Sequence, residues 1–356
     1  MQASKRALPS ASGPVSVDAP AGLRIGGWDV YGAHNRRQVS VVHFILSPMV
    51  TRSFTIRPLG DFSLAESALF GFGQRMHPID PTSQEVRFDG IMRLAFCLDN
   101  YRDQAGAELR QDEHGVHVVV HGSGDLEKIE GQVARVLSLD QDGRGFVEVG
   151  ERDPVIGRLQ RAAPGLRPPL FYSPYEAAVW SVLSTRRPSW QASMVRAALS
   201  QSHGATFDLA GELHTALPTP SQLLEVTTFP AIDPDRLKRM HGVARAAMDG
   251  VLDLTRLKDL GPQEAMIEVQ RIPGIGPFYA ALIVIRSTGF VDVLPDREPK
   301  VLGLVQTLYR LPEAATQARF EAIAQAWRPW RTWATVLVRA AGPRVLSGNG
   351  LPGSAA

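Results

Sequence analysis

Ile272-Pro273-Gly274-Ile275-Gly276 separates two stretches of helical spacing, 262–270 before it and 277–286 after it. A turn this short between helices needs a residue without a Cβ wherever φ is positive. Glycine also lets backbone N–H groups approach an anion at the N-terminus of the second helix. Pro277 suits the first position of that helix. Two readings share these residues: a phosphate-binding hairpin made by Pro273, Gly274, Ile275 and Gly276, and a plain helix–helix connection with glycine as C-cap.

Downstream, the loop 289–295 leads into Leu294-Pro295-Asp296, and a helical pattern follows at once over 297–308. An aspartate there is a helix N-cap. The same N-cap geometry would serve catalysis, because N–H donors and the helix dipole favour a charged carboxylate facing whatever the hairpin has positioned. Helical patterns continue over 314–326 and 330–341. Upstream, Ser173, Pro174 and Glu176 read as a capping box that opens a helix carrying Val179, Val182 and Leu183. Pro188 interrupts it. Trp190, Met194, Ala198 and Leu199 mark the next helix, which ends near Gly204, and another spans 237–248.

Before residue 169 the signals are strand-like. Short β-branched and aromatic runs at 41–46, 54–56, 91–98 and 116–120 are bounded by turn residues, and one helix stands behind Asp125 with Leu126, Ile129, Val133, Val136 and Leu137 on one face. The expected fold is therefore α+β: a tail over 1–22, an α/β domain over 23–168, an all-helical domain over 169–346 and a second tail over 347–356.

With 356 residues, 44% of them hydrophobic and 21% charged, the chain has apolar material for two ordinary globular domains. Cys97 is the single cysteine, which excludes an internal disulfide and any cysteine-built zinc or iron–sulfur centre, and points to a reduced, cytoplasmic compartment. No metal or cofactor is expected. No apolar run approaches the length of a membrane span, and the polar N-terminus lacks a secretory core. A net charge of +2 with a pI near 8.8 means that nucleic-acid binding must rest on a local patch. Asp140, Asp142, Gly145, Glu148 and Glu151 have the spacing of a calcium loop, but Arg144 at a ligand position would repel the ion. Gly71 and Gly73 lack the rest of a dinucleotide fingerprint, and the nine histidines are scattered. Trp327, Trp330 and Trp333 read mostly as core, and the neighbouring Arg328 and Arg331 are candidates for DNA phosphates.

Residues 269–300 resemble the helix-hairpin-helix, Gly/Pro-rich loop and aspartate signature of base-excision DNA glycosylases, with Lys300 one helical turn beyond Asp296, where that family usually has a basic residue. Trp327-Arg328-Pro329-Trp330-Arg331-Thr332-Trp333-Ala334 is similar to the Trp-x-Pro-Trp-Arg-x-aromatic-Ala signature of the bacterial 3-methyladenine DNA glycosylase II group. Pro164-Gly165-Leu166-Arg167-Pro168, followed by Tyr175 and Glu176, resembles that group's domain junction. The likeness covers 133–339 well and reaches the N-terminal part only loosely, through 54–73.

What the resemblance implies is a TATA-binding-protein-like α/β domain followed by two helical lobes with a cleft between them. Asp296 would be the catalytic carboxylate. Duplex DNA carrying damaged, alkylated bases would be the partner, with no membrane involved and the protein acting as a monomer. Bifunctional members carry a lysine where this chain has Phe278, so the implied enzyme is a monofunctional hydrolase that leaves an abasic site. The loop expected to insert a wedge reads Ser184-Thr185-Arg186-Arg187-Pro188, with Arg186 at the wedge position and Arg187 as a DNA contact. The base-pocket positions are Phe278, Leu282 and Arg339, only one of them aromatic. Arg339 would repel a cationic base unless turned outward to phosphate. The competing reading is a non-catalytic DNA-binding module that keeps the hairpin and has lost its base pocket.

Overall fold

The computed structural model describes residues 52–72, 88–296 and 298–348. The expected N-terminal tail, the strand expected over 41–46, Gly73, His34, His43, His77, Arg297 and the C-terminal tail past 348 lie outside those residues.

β1 (Arg52–Ile56), β2 (Met92–Cys97), β3 (Gln104–Asp112) and β4 (Gly115–His121) form an antiparallel sheet in the order β1-β4-β3-β2, with Arg52 opposite Val120 and Ile56 opposite Val116. Between β1 and β2 lies the single turn α1 (Leu64–Ser67), and α2 (Leu126–Val136) follows the sheet. Alternation along the strands turns Leu94, Phe96, Leu109, Val116 and Val118 onto Ile129 and Val133 of α2. Asp125 caps α2 by accepting the Lys128 N–H at 3.1 Å, as its position predicts.

β3 is not visible in the sequence pattern, because its side chains are small or polar. Its smallness is required by packing. β5 (Thr206–Leu209) and β6 (Glu212–Thr215) form a hairpin beside it, and a Cβ on Gly106 would stand 2.8 Å from the Phe207 and Leu209 side chains.

The remaining helices are α3 (Val147–Arg152), α4 (Pro154–Ala162), α5 (Pro174–Ser184), α6 (Ser189–His203), α7 (Pro220–Glu225), α8 (Pro234–Met248), α9 (Leu254–Val269), α10 (Pro277–Thr288), α11 (Pro299–Leu308), α12 (Gln317–Ala324) and α13 (Arg331–Leu346). They build two apolar cores. One gathers α5, α8, α9 and α10 around Val179, Met240, Val269 and Ile283. The other gathers α3, α4, α11, α12 and α13 around Val149, Ile156, Val305, Phe320 and Trp327.

Residues 147–162 thus pack with the C-terminal helices rather than with the sheet, across the boundary expected at 168. Burial of Val149, Ile156 and Leu159 among those helices is the physical reason, and Asp153 adds polar ties. Its Oδ1 caps α4 by accepting the Val155 and Ile156 N–H groups, and its Oδ2 accepts the Tyr309 hydroxyl at 2.5 Å and the Trp327 indole N–H at 2.9 Å. Trp327 and Trp333 are buried, in line with a core role. The Asp142 turn is closed by Arg144, whose guanidinium holds that carboxyl down to about 2.

Ser173 caps α5 as expected, accepting the Glu176 N–H at 3.1 Å. Glu176 does not complete a reciprocal capping box. Its carboxylate instead accepts the Cys97 N–H at 3.2 Å from β2 and pairs with Arg196 of α6 at 2.7 Å. Burial pushes the Glu176 carboxyl up, against the pull of Arg196. The face of α6 turned inward carries Ala192, Arg196 and Leu199, and Trp190, expected on the apolar face, is half exposed.

Candidate active site

The hairpin is built from its two isoleucines. Ile272 and Ile275 are buried in the first helical core, and the Ile275 N–H donates to the Ile272 carbonyl at 3.0 Å, so Pro273, Gly274 and Gly276 are turned to solvent. Gly274 has φ +93°, where a side chain would be strained, and its position lies against the Arg239 side chain. Gly276 is the N-cap of α10 and offers no side-chain cap, and Pro277 at the first helical position has no N–H to satisfy. The first amides of α10 are thereby left facing outward at the positive end of a helix, an arrangement suited to a phosphate.

α10 ends at Gly289, and the chain crosses to the second core along 290–298. This crossing is gripped by the tryptophan-rich segment and the start of α13. Thr332 donates its N–H to the Val291 carbonyl at 2.9 Å, and its hydroxyl bonds both the N–H and the carbonyl of Val293. Arg331 forks onto Asp292, with Nε to Oδ1 at 2.7 Å and Nη2 to Oδ2 at 3.0 Å, and Arg328 adds a contact at 3.0 Å. Arg328 and Arg331, candidates for DNA phosphates, both pair with Asp292, with the Arg328 side chain still 53% exposed.

The loop carries two carboxylates toward α11. Asp296 is exposed, and α11 starts at Pro299 rather than at 297. The N-cap is accordingly Glu298 and not Asp296: the Oε2 of Glu298 accepts the Val301 N–H at 2.6 Å. Proline at the first helical position holds the preceding residue in extended backbone, which is the conformation of a cap. The other oxygen, Oε1, pairs with Arg339 Nη1 of α13 at 2.7 Å. Arg339 neither turns to solvent nor stands as an uncompensated cation. Lys300 is exposed in the first turn of α11.

Across the lobes, Phe278 is 55% exposed, with its ring edge against Tyr279 at 5.3 Å. Leu282, half-buried, packs on the first core. In the expected wedge loop Arg186 is exposed and held at φ +53°, and Arg236 fixes the turn by donating to the Leu183 and Thr185 carbonyls. Arg187 differs from its neighbour. Its Nη2 donates to the Ala231 carbonyl at 2.7 Å, and burial lowers its guanidinium pKa. The roles of Glu298, Asp292 and Thr332 were missed by sequence reasoning, although the Glu298-Pro299 pair carried a readable cap signal.

No protein-family model matches the chain. It is 28% identical over 270 residues to the probable bifunctional transcriptional activator/DNA repair enzyme AlkA of Mycobacterium tuberculosis, covering 74% of this chain and 52% of that protein; the chain thus spans about half the length of that relative. It is 31% identical over 264 residues to DNA-3-methyladenine glycosylase 2 of Escherichia coli K12, covering 71% of this chain and 86% of that protein. Its fold matches that of the 3-methyladenine DNA-glycosylase from Archaeoglobus fulgidus with a TM-score of 0.65 at 17% identity, over 82% of this chain and 98% of the other.

Proposed function

Because the chain belongs to the DNA-3-methyladenine glycosylase 2 family, we propose that it is a monofunctional DNA glycosylase, which flips a damaged, alkylated base out of duplex DNA and hydrolyses its bond to the sugar. The observation that carries this reading is the join between the helical lobes. An uncapped helix start follows the hairpin, and the far end of that same helix feeds a clamped loop bearing carboxylates. The hairpin residues Pro273, Gly274, Ile275 and Gly276, with Lys300, hold the DNA backbone, and Arg186 enters the gap left by the extruded nucleotide. A loop carboxylate then acts where positive charge develops on the sugar. The motif assigns this role to Asp296, with Glu298 two residues on. Phe278, Leu282 and Arg339 border the base, and the sheet with α2 is the TATA-binding-protein-like part. The enzyme works as a cytoplasmic monomer without metal or cofactor. Phe278 offers no amine, so the strand stays intact until the abasic site is cut by another agent.

The test is incubation with duplexes carrying single alkylated, deaminated or oxidised bases, followed by alkali. Release from alkylated duplexes, strand breaks only after alkali, and no covalent adduct on borohydride treatment are the expected results. The Glu298–Arg339 pair, standing where an aromatic stacking partner is expected, favours one alternative: a DNA-binding module with a degenerate pocket. Binding of every duplex without release of any base would establish that alternative.

A further inference from the structure

On the DNA-binding part of the reading just given, we infer that Arg239 of α8 is a further DNA contact, which takes a backbone phosphate beside the hairpin. Gly274 makes room for it. A Cβ at that glycine would stand 3.2 Å from Arg239 Cδ and 3.7 Å from both its Cγ and its Nε, so the arginine stem lies across the turn where a side chain would otherwise be. Pro273, Gly274 and Gly276 of the turn are exposed, and so is Arg239. Among the described residues no carboxylate pairs with the Arg239 guanidinium and no carbonyl accepts from it, Asp235 one turn earlier on α8 included. Arg196, Arg331 and Arg339, by contrast, each close on a carboxylate at 2.7 Å.

The rest of α8 shows why a cation is useful at this place. Arg236, three positions before Arg239, donates to the Leu183 and Thr185 carbonyls of the loop that carries Arg186. Within about one turn, therefore, the helix touches both the loop and the hairpin that bind DNA on this reading. An arginine at that join meets phosphates running between the extruded nucleotide and the hairpin. Its planar fork can take two phosphate oxygens at once. The turn already restrains the stem, which lowers the entropic cost of ordering a long side chain on binding. The contact is to the backbone, so it adds affinity without reading the lesion.

Binding of a duplex with a tetrahydrofuran abasic analogue, and of the same duplex undamaged, is measured between about 50 and 200 mM salt. The proteins compared are the unaltered chain, Arg239→Met, which keeps an unbranched stem on the turn, Arg239→Lys, and Arg245→Met. Arg245 is an exposed arginine six positions on and about 120° around the same helix, and serves as the control for charge alone. Arg239→Met should weaken both duplexes alike, about tenfold, and reduce the slope of log K against log salt by about 1. Arg239→Lys should keep the slope, and Arg245→Met should move it by less than half as much. Single methylphosphonates placed along the strands beside the analogue then locate the contact: Arg239→Met should become insensitive to at least one position whose charge matters to the unaltered chain. If methionine lowers the melting temperature, Arg239→Gln takes its place in both series. An unchanged slope, an equal fall for Arg245→Met, or the same sensitive positions with and without Arg239 overturns the contact alone. An unaltered chain that binds neither duplex overturns the DNA-binding reading and the contact with it.

Discussion

Two glutamate–arginine pairs, Glu176–Arg196 and Glu298–Arg339, close at the same 2.7 Å beside the start of a proline-led helix, and the contrast between them is one of burial. Glu176 is 1% exposed and Arg196 6%, with the remaining Glu176 oxygen bound to the Cys97 amide of the sheet. Glu298 and Arg339 remain 20% and 30% open. In the interior, both charges have lost their water and depend on each other, so the pair fastens the sheet to the helical lobe and can do little else. Near the surface, holding the pair costs little, and unused lone pairs remain accessible to water. Arg331 on Asp292 lies between these limits, and Arg186 has solvent around it.

Breaking the interior pair should have the largest effect. Arg196→Met leaves Glu176 buried without its cation, and we expect a loss of about 3–5 kcal/mol in chemical denaturation at neutral pH. Burial already raises the Glu176 carboxyl, and removing Arg196 raises it further, so the folded variant holds a proton that the unfolded chain releases. The deficit should therefore be smallest at acid pH, where Glu176 is protonated in both folded proteins, and deepen only above the ordinary carboxylate range, between the raised Glu176 carboxyl of the unaltered chain and the still higher one of the variant. A deficit independent of pH would mean that Glu176 does not feel the loss.

At the intermediate clamp, Arg331→Ala frees Asp292 and the crossing loop. A displacement of the order of an ångström there should cost about 10² in single-turnover excision with a smaller change in melting. Equal activity would show that Thr332 alone holds the loop.

Arg186→Ala tests the open end of the series. Extrusion from paired DNA costs a few kcal/mol and is cheaper at a mismatch, so the rate ratio between paired and mismatched duplexes with one lesion should fall about tenfold. An unchanged ratio reduces Arg186 to a surface charge.

The smallest effect belongs to Arg339→Met, read as stability. An ion pair this open should contribute less than about 1 kcal/mol, whatever the substitution does to excision. A loss as large as that of Arg196→Met would erase the distinction between the two pairs.

Much of this architecture was legible because local chemistry repeats itself. Among the described residues, Asp153-Pro154, Ser173-Pro174, Thr219-Pro220, Asp233-Pro234 and Glu298-Pro299 all open helices by the same device: proline at the first position and a side-chain acceptor just before it. Applied at 298, that rule moves the cap from Asp296 to Glu298 without any coordinates. The hairpin was readable for the same reason, since a positive φ at Gly274 is demanded within five residues. β3 and the β5–β6 hairpin were not, because Ala105, Gly106 and Ala107 are selected by what lies against them and carry no hydrophobic pattern.

The sequence by itself determined the helix starts, the hairpin and the types of residue near the site, because these depend on neighbours a turn or less away. Only the tertiary structure decided which arginine serves which carboxylate. Arg331 closes on Asp292 across 39 positions and Arg339 on Glu298 across 41, and Arg328 adds a second bond to Asp292. A long flexible cation reaches whatever acceptor the fold brings within about 3 Å, and no local pattern encodes that encounter.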